Sequence, residues 1–181
     1  MVIVINGSNR AGNLTQIISK FYHQQLEALE TKDLHYYSLE DLPVDMLSKH
    51  MFTENGRNDI VTDLQERLII PSTKIVFILP EYNGGMPGAL KLFIDACSTY
   101  KKDENFMNKK VAMIGVAAGR AGNLRGMEHL TSIMNYMGAV VMPNRLPVSS
   151  IRGLIDIPNM KLIDEPTKKV LQEHAKSFSS F

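Results

Sequence analysis

An open parallel α/β sheet is the fold class that three observations in this 181-residue chain predict. The first is a set of short, near-continuously apolar and largely β-branched runs at residues 2–5, 74–79 and 111–116, the pattern of strands covered on both faces. The second is that longer stretches with apolar residues at helical spacing separate these runs. The third is that each run passes directly into a loop rich in glycine and other small residues, and from there into a helix. No Pro-, Gly- or Ser-rich linker divides the chain, so a single domain over 1–181 is expected, and the length and 44% hydrophobic content suffice for a substantial core.

Taken in order, the strand at 2–5 meets turn chemistry at Gly7 and Gly12, with Ser8, Asn9 and Arg10 between them. Leu14, Ile17, Ile18, Phe21 and Leu29 then predict an amphipathic helix over about 13–30, broken at 31–33. Residues 34–39 carry β-favouring aromatics and read as a second, shorter strand. In 40–58, Pro43, Asn55 and Gly56 interrupt the apolar residues Met46, Leu47, Met51 and Phe52, which predicts a partly helical excursion able to help form an oligomer interface. Ile60, Val61, Leu64 and Leu68 mark a helix ended by Pro71, and 74–79 is the third strand, stopped by Pro80. Pro87 starts a helix carrying Leu90, Phe93, Ile94 and Cys97. The fourth strand, 111–116, leads into a small-residue loop at 115–122 and a helix with Leu124, Met127, Leu130, Met134 and Met137 that stops near Gly138. A fifth strand at about 139–142, an extended segment at 146–148 and a final helix over 164–178, with Val170, Leu171 and Phe178 inward, complete the chain.

The chemistry is concentrated in the loops after strands one, three and four. In the first, Ser8 and Arg10 offer hydroxyl and guanidinium donors just before a helix whose free N–H groups favour an anion. A nucleoside-triphosphate loop has the same Gly spacing but needs Lys and Ser or Thr where Asn13 and Leu14 stand, and the dinucleotide fingerprint fails at Asn9. What is left fits a single phosphate, the alternative being an ordinary capped strand-to-helix turn with a surface Arg. In the second loop Gly84 and Gly85 permit close backbone approach, Tyr82 can lie against a flat ring, and Asn83 can reach that ring's polar edge. In the third, residues 120–124 repeat residues 10–14 identically, giving two similar anion-tolerant turns. With strand order 2-1-3-4-5, strands one and three flank the point where the order reverses, and ligands of such sheets bind there, beyond the strands' carboxyl ends.

Composition removes several function classes. A net charge of +1 argues against a general nucleic-acid or membrane-surface binder. The single cysteine, Cys97, excludes an internal disulfide framework, suits a reducing compartment and reads as a buried structural thiol. The first residues read as a core strand and not a signal peptide, and no apolar run is long enough to cross a bilayer, so a cytoplasmic protein is expected. His35, His129 and His174 read as ordinary strand and helix residues, and no acid–base pair, metal cluster or nucleophile triad stands out in the loops.

Gly7-Ser8-x-Arg10, together with 80–84 (Pro-Glu-Tyr-Asn-Gly), Pro87, Leu90, Lys91 and Asp95, resembles the NADPH-dependent FMN reductase family, whose members include quinone, azo-dye and chromate reductases. The resemblance covers nearly the whole chain and implies a flavodoxin-like three-layer sandwich. It implies that Ser8, Arg10, Asn13, Leu14 and Thr15 hold the FMN phosphate, that Pro80, Glu81, Tyr82, Asn83 and Gly84 border the isoalloxazine, and that Gly119 and Arg120 close the other side. Arg120 is then the candidate for the NADPH phosphate or ribose. The family often has Ser and Asn where Asn13 and Thr15 stand, and an aromatic where Cys97 and Ser98 stand. The activity implied is hydride transfer from NADPH or NADH to FMN, then onward by a ping-pong scheme to a quinone, flavin, azo or similar small-molecule acceptor, in a homodimer or homotetramer. The alternatives are an FMN-binding electron carrier or redox-responsive interaction protein, which the near-neutral charge disfavours, and a nucleotide-binding module without flavin.

Overall fold

A computed structural model describes residues 1–43, 46 and 48–181. Its centre is a parallel sheet in the order β2-β1-β3-β4-β5, with β6 pairing with β4 further along the same edge. The strands are β1 (Val2–Asn6), β2 (Leu34–Ser38), β3 (Lys74–Pro80), β4 (Lys110–Val116), β5 (Val140–Val141) and β6 (Leu146–Val148). Side chains alternate across the sheet, so Ile3, Ile5 and Phe77 enter one apolar cluster while Val4, Val76 and Ile78 enter the other. Helices α1 (Thr15–Ala28) and α6 (Glu165–Ser180) cover the second face. The first is covered by α2 (Asp59–Leu64), α3 (Gly88–Cys97) and α5 (Leu124–Tyr136). The expected three-layer sandwich and strand order are therefore present.

Several expectations change in detail. The buried stripe of α1 is Ile17, Ile18, Tyr22 and Leu26, whereas Phe21 is half-buried and Leu29 lies beyond the helix, exposed. Glu30 follows with a left-handed φ of 55°, which ends the helix before the predicted boundary. Ile60, Leu124 and Val170 also face solvent, because each occupies the first turn or the outer face of its helix while its neighbours fill the core. After α2 the chain widens into a π-helical turn, Gln65–Ile69. A short helix α4 (Lys102–Phe106) precedes β4.

Pro80 does not stop the third strand. It pairs with Val116, and the next N–H, of Glu81, donates to the Val116 carbonyl at 2.9 Å. The missing N–H of Pro80 is tolerated because it turns toward the β1 side, where β1 has already ended opposite Ile78. Between β2 and α2 the structure has 3₁₀ turns at Leu39–Asp41 and Glu54–Gly56, with Met46 and Met51 buried and Phe52 exposed. Leu47 lies outside the described residues. Beyond β6, a hairpin of β7 (Ile155–Asp156) and β8 (Lys161–Leu162) leads into α6; its strands are too short to leave a periodic signal in sequence.

Candidate active site

The loops after β1, β3 and β4 converge at the carboxyl edge of the sheet around a cavity of about 320 Å³. Arg10, Asn13, Leu14 and Thr15 form one wall, and Pro80, Glu81 and Tyr82 another. Val116, Ala117 and Ala118 add a small-residue wall from the end of β4, and Ile151, Arg152 and Ile157 close the side toward the β7–β8 hairpin.

The first wall is built by Asn13. Gly12 has a left-handed φ of +63° with open space where a Cβ would be, and Asn13 then folds back on the loop. Its Oδ1 accepts from the Gln16 N–H at 2.9 Å and its Nδ2 donates to the Arg10 carbonyl at 2.8 Å. Asn6, fully buried at the end of β1, donates to Asn13 Oδ1 at 3.3 Å and to the Ser38 hydroxyl at 3.0 Å, which ties the loop to β2. Asn13 thus caps the Gln16 N–H and the Leu14 carbonyl takes that of Ile17, so the helix donors for a ligand are the N–H groups of Leu14 and Thr15, on the wall that Arg10 shares.

Ser8 stands behind this wall. It is fully buried, accepts from the Arg10 N–H at 3.3 Å, and its hydroxyl lies 2.7 Å from the Tyr82 hydroxyl. Tyr82 thus spans from the third-strand loop to the first-strand loop. Its position is set by a two-residue turn: Tyr82 and Gly85 exchange backbone hydrogen bonds at 3.0 and 3.1 Å, and Asn83 and Gly84 have φ of 52° and 75°. Asn followed by Gly at positive φ is the combination a tight hairpin turn requires. Asn83 and Gly84 serve that turn and do not line the cavity, contrary to the reading of them as ring-contacting residues.

Gly119 and Arg120 also lie off the cavity, whose third wall is formed earlier in the loop, by residues 116–118. The two identical pentapeptides diverge for a tertiary reason. A Cβ on Gly122 would sit 2.6 Å from the Pro147 Cβ, so β6 presses on this loop, while Gly12 is open. Asn123 takes a left-handed φ of 62° and donates to the carbonyls of Leu79 and Pro80 at 3.1 and 2.8 Å, locking the end of β3 instead of lining the cavity. Ile151, Arg152 and Ile157 were not nominated from sequence. They reach the site only because β6 pairs with β4 and carries the chain back over the sheet edge.

The donor set matches a phosphate bound to a flat, partly apolar body. Hydroxyl, guanidinium and helix donors come from the loop after β1, and Tyr82, Pro80 and small β4-end residues come from the other two loops. The Oε2 atom of Glu81 is buried without a hydrogen-bond partner among the described residues, an acceptor left for a ligand N–H or O–H. Cys97 is fully buried in α3, where desolvation pushes its thiol pKa up, so it is not poised as a nucleophile. No His, Cys, Asp and Glu cluster suited to a metal occurs among the described residues.

A flavodoxin-like sheet with three loops meeting at a cavity beyond the strands' carboxyl ends is the setting in which folds of this class hold FMN. The chain matches the NADPH-dependent FMN reductase family over residues 1–152 and belongs to it. It is 24% identical to an NADPH azoreductase of Bacillus sp. (strain OY1-2) over 180 residues, covering 99% of this chain and 91% of that protein. It is 27% identical to a quinone reductase of Escherichia coli (strain K12) over 182 residues, covering 99% and 94%. The structure superposes on FerB, a flavoenzyme NAD(P)H:(acceptor) oxidoreductase from Paracoccus denitrificans, with a TM-score of 0.75 and 26% identity, covering 99% of this chain and 94% of that one. The protein is therefore an oxidoreductase enzyme that uses FMN and a nicotinamide donor.

Proposed function

We propose that the chain, as a single FMN-binding domain over 1–181, reduces a small quinone, azo or related acceptor at the expense of NADPH or NADH by a ping-pong scheme in which both substrates use the same cavity. The observation that carries this reading is the convergence of Arg10, Thr15 and the start of α1 with Pro80, Glu81 and Tyr82 on one cavity. FMN, when bound, supplies the hydride chemistry, accepting two electrons from the donor and passing them to the acceptor. Arg10, Asn13, Leu14 and Thr15 hold its phosphate through a charge-assisted contact and helix donors. Ser8 joins them by turning its hydroxyl from Tyr82. Pro80, Glu81 and Tyr82 border the ring, and Glu81 Oε2 accepts a proton-bearing group there. Asn83, Gly84, Gly119 and Arg120 support these walls from outside. Open small-residue walls admit acceptors of varied shape, which suits the different substrates named for the relatives.

Two further readings belong to this proposal. The face between α3 and α5 carries Phe52 at 70% and Tyr136 at 80% exposure beside Ile133 and Met137, and we assign it to pairing with a second copy. No helix among the described residues is long and apolar enough to cross a membrane, and the buried Cys97 suits a reducing compartment, so the cytoplasm is the proposed location. The deciding experiment is a visible spectrum of purified protein before and after anaerobic NADPH. A bound flavin band that bleaches, then returns when a quinone is added, supports the reading; failure to bind added FMN removes it.

A further inference from the structure

Two arginines line the cavity on different walls, and FMN brings one phosphate. Arg10 stands in the loop after β1, whereas Arg152 stands on the 3₁₀ turn Ile151–Gly153 across the cavity. Among the described residues neither forms an ion pair. Asp156, the acid nearest to Arg152 in sequence, is engaged elsewhere: its carboxylate accepts from the Asn159 N–H at 3.2 Å and the Asn159 side chain at 2.7 Å.

The turn that presents Arg152 is pinned. Ile151 is 4% exposed and its N–H donates to the Ala117 carbonyl at 3.1 Å, while Ser150 donates to the Gly119 carbonyl at 3.1 Å. A cation on a turn bonded to the loop after β4 needs little reorganisation to meet an anion. Beside it Ile157, 47% exposed, lines the same cavity and offers an apolar surface. This pairing fits a visitor that joins phosphate groups to a flat apolar body.

We propose that Arg152, backed by Ile157, is the subsite that takes a phosphate of the nicotinamide donor, the role that the sequence alone assigns to Arg120. The inference rests on the FMN reading of the cavity. Arg120 is exposed and outside the cavity, and its carbonyl accepts from the Ser149 hydroxyl at 2.7 Å. The family match ends at residue 152, so the β7–β8 hairpin that brings Ile157 to the site lies outside the matched segment. Arg152 is the last matched residue, and the apolar surface beside it comes from beyond the matched segment.

The test uses the FMN-loaded protein and its Arg152→Ala, Arg152→Lys and Arg120→Ala variants, titrated calorimetrically with NADP⁺ and NAD⁺. FMN affinity is measured separately on each flavin-free form. Arg152→Ala is expected to weaken NADP⁺ binding roughly tenfold, about 1.4 kcal/mol, with Arg152→Lys intermediate and FMN affinity retained. A loss confined to NADP⁺ assigns the 2′-phosphate, and an equal loss for NAD⁺ assigns the bridging phosphates; either supports the proposal. Unchanged NADP⁺ binding in Arg152→Ala overturns it, as does a loss seen in Arg120→Ala alone. A parallel loss of FMN affinity in Arg152→Ala makes Arg152 a flavin ligand and also overturns it. A parent protein that binds no FMN fails at the earlier step, the flavin reading itself, and takes this subsite with it.

Discussion

Ser8 and Tyr82 share a hydrogen bond of 2.7 Å, so the hydroxyl proposed for phosphate already has a partner within the fold. Replacing Tyr82 with Phe leaves the fully buried Ser8 hydroxyl with only the Arg10 N–H, at 3.3 Å, and is expected to destabilise the flavin-free protein by about 0.5–1.5 kcal/mol. In the FMN-loaded protein the deficit should vanish, because the phosphate replaces the phenol; chemical denaturation of both forms measures the difference, and an equal loss in both removes Ser8 from the phosphate site. Arg10 behaves differently, since it is exposed and has no ion pair among the described residues. Arg10→Ala should weaken FMN binding by about 1.5–3 kcal/mol, while stability of the flavin-free protein stays within about 0.5 kcal/mol of the parent. Fluorescence titration with FMN tests this, and unchanged affinity would count against the phosphate wall.

At the scale of elements, two polar networks hold the layers that carry the site. Gln65, in the π-helical turn after α2, donates to the carbonyls of Cys97 and Tyr100 at 2.9 and 3.0 Å and to Asn105 Oδ1 at 2.9 Å. Asn105 donates to the same two carbonyls, each at 3.0 Å, so the end of α3, helix α4 and the widened turn are tied together. Gln65→Leu should cost about 1–3 kcal/mol in urea unfolding, because it leaves Asn105 Oδ1 unpaired in a buried place. On the other face His174 of α6 joins Tyr22 of α1 at 2.8 Å and the Asn144 carbonyl at 2.9 Å. The carbonyl can only accept, which places the proton on Nε2 and makes the Tyr22 hydroxyl the donor to Nδ1. Burial lowers the His174 pKa, outweighing the opposing pull of the Asn144 carbonyl, so the unfolded chain binds this proton more readily than the folded one. Stability from this group is therefore fully present above the unfolded value near pH 6.5 and falls as pH drops below it. Thermal melts between about pH 8 and pH 5 should show a steeper decline in the parent than in His174→Gln; identical slopes would assign the pH dependence elsewhere, for instance to His23, whose pKa burial also lowers.

For the whole molecule, exposed Phe52 and Tyr136 on the α3–α5 face are large apolar groups that a lone chain leaves in water. Tyr136→Glu should shift the light-scattering mass toward that of one chain, since a symmetric contact places the charge at the interface twice. A mass unchanged by the substitution moves the interface to another face, and a parent of single-chain mass removes the pairing.

Strand identity, strand order and the Arg10–Thr15 and Pro80–Tyr82 walls were legible in the chain because each depends on local signals. Apolar runs mark buried strands, Gly and Pro mark turns, and polar donors before a helix mark an anion site. What sequence spacing could not decide was which identical loop stays open. Residues 10–14 and 120–124 are the same five residues, yet Pro147 crowds Gly122 while nothing crowds Gly12. The third wall was decided in the same way: the pairing of β6 with β4 brings Ile151 against Ala117, carries Arg152 to the cavity and leaves Arg120 outside. Local chemistry thus determined which loops meet at the cavity, and the packing of distant segments determined which side chains face it.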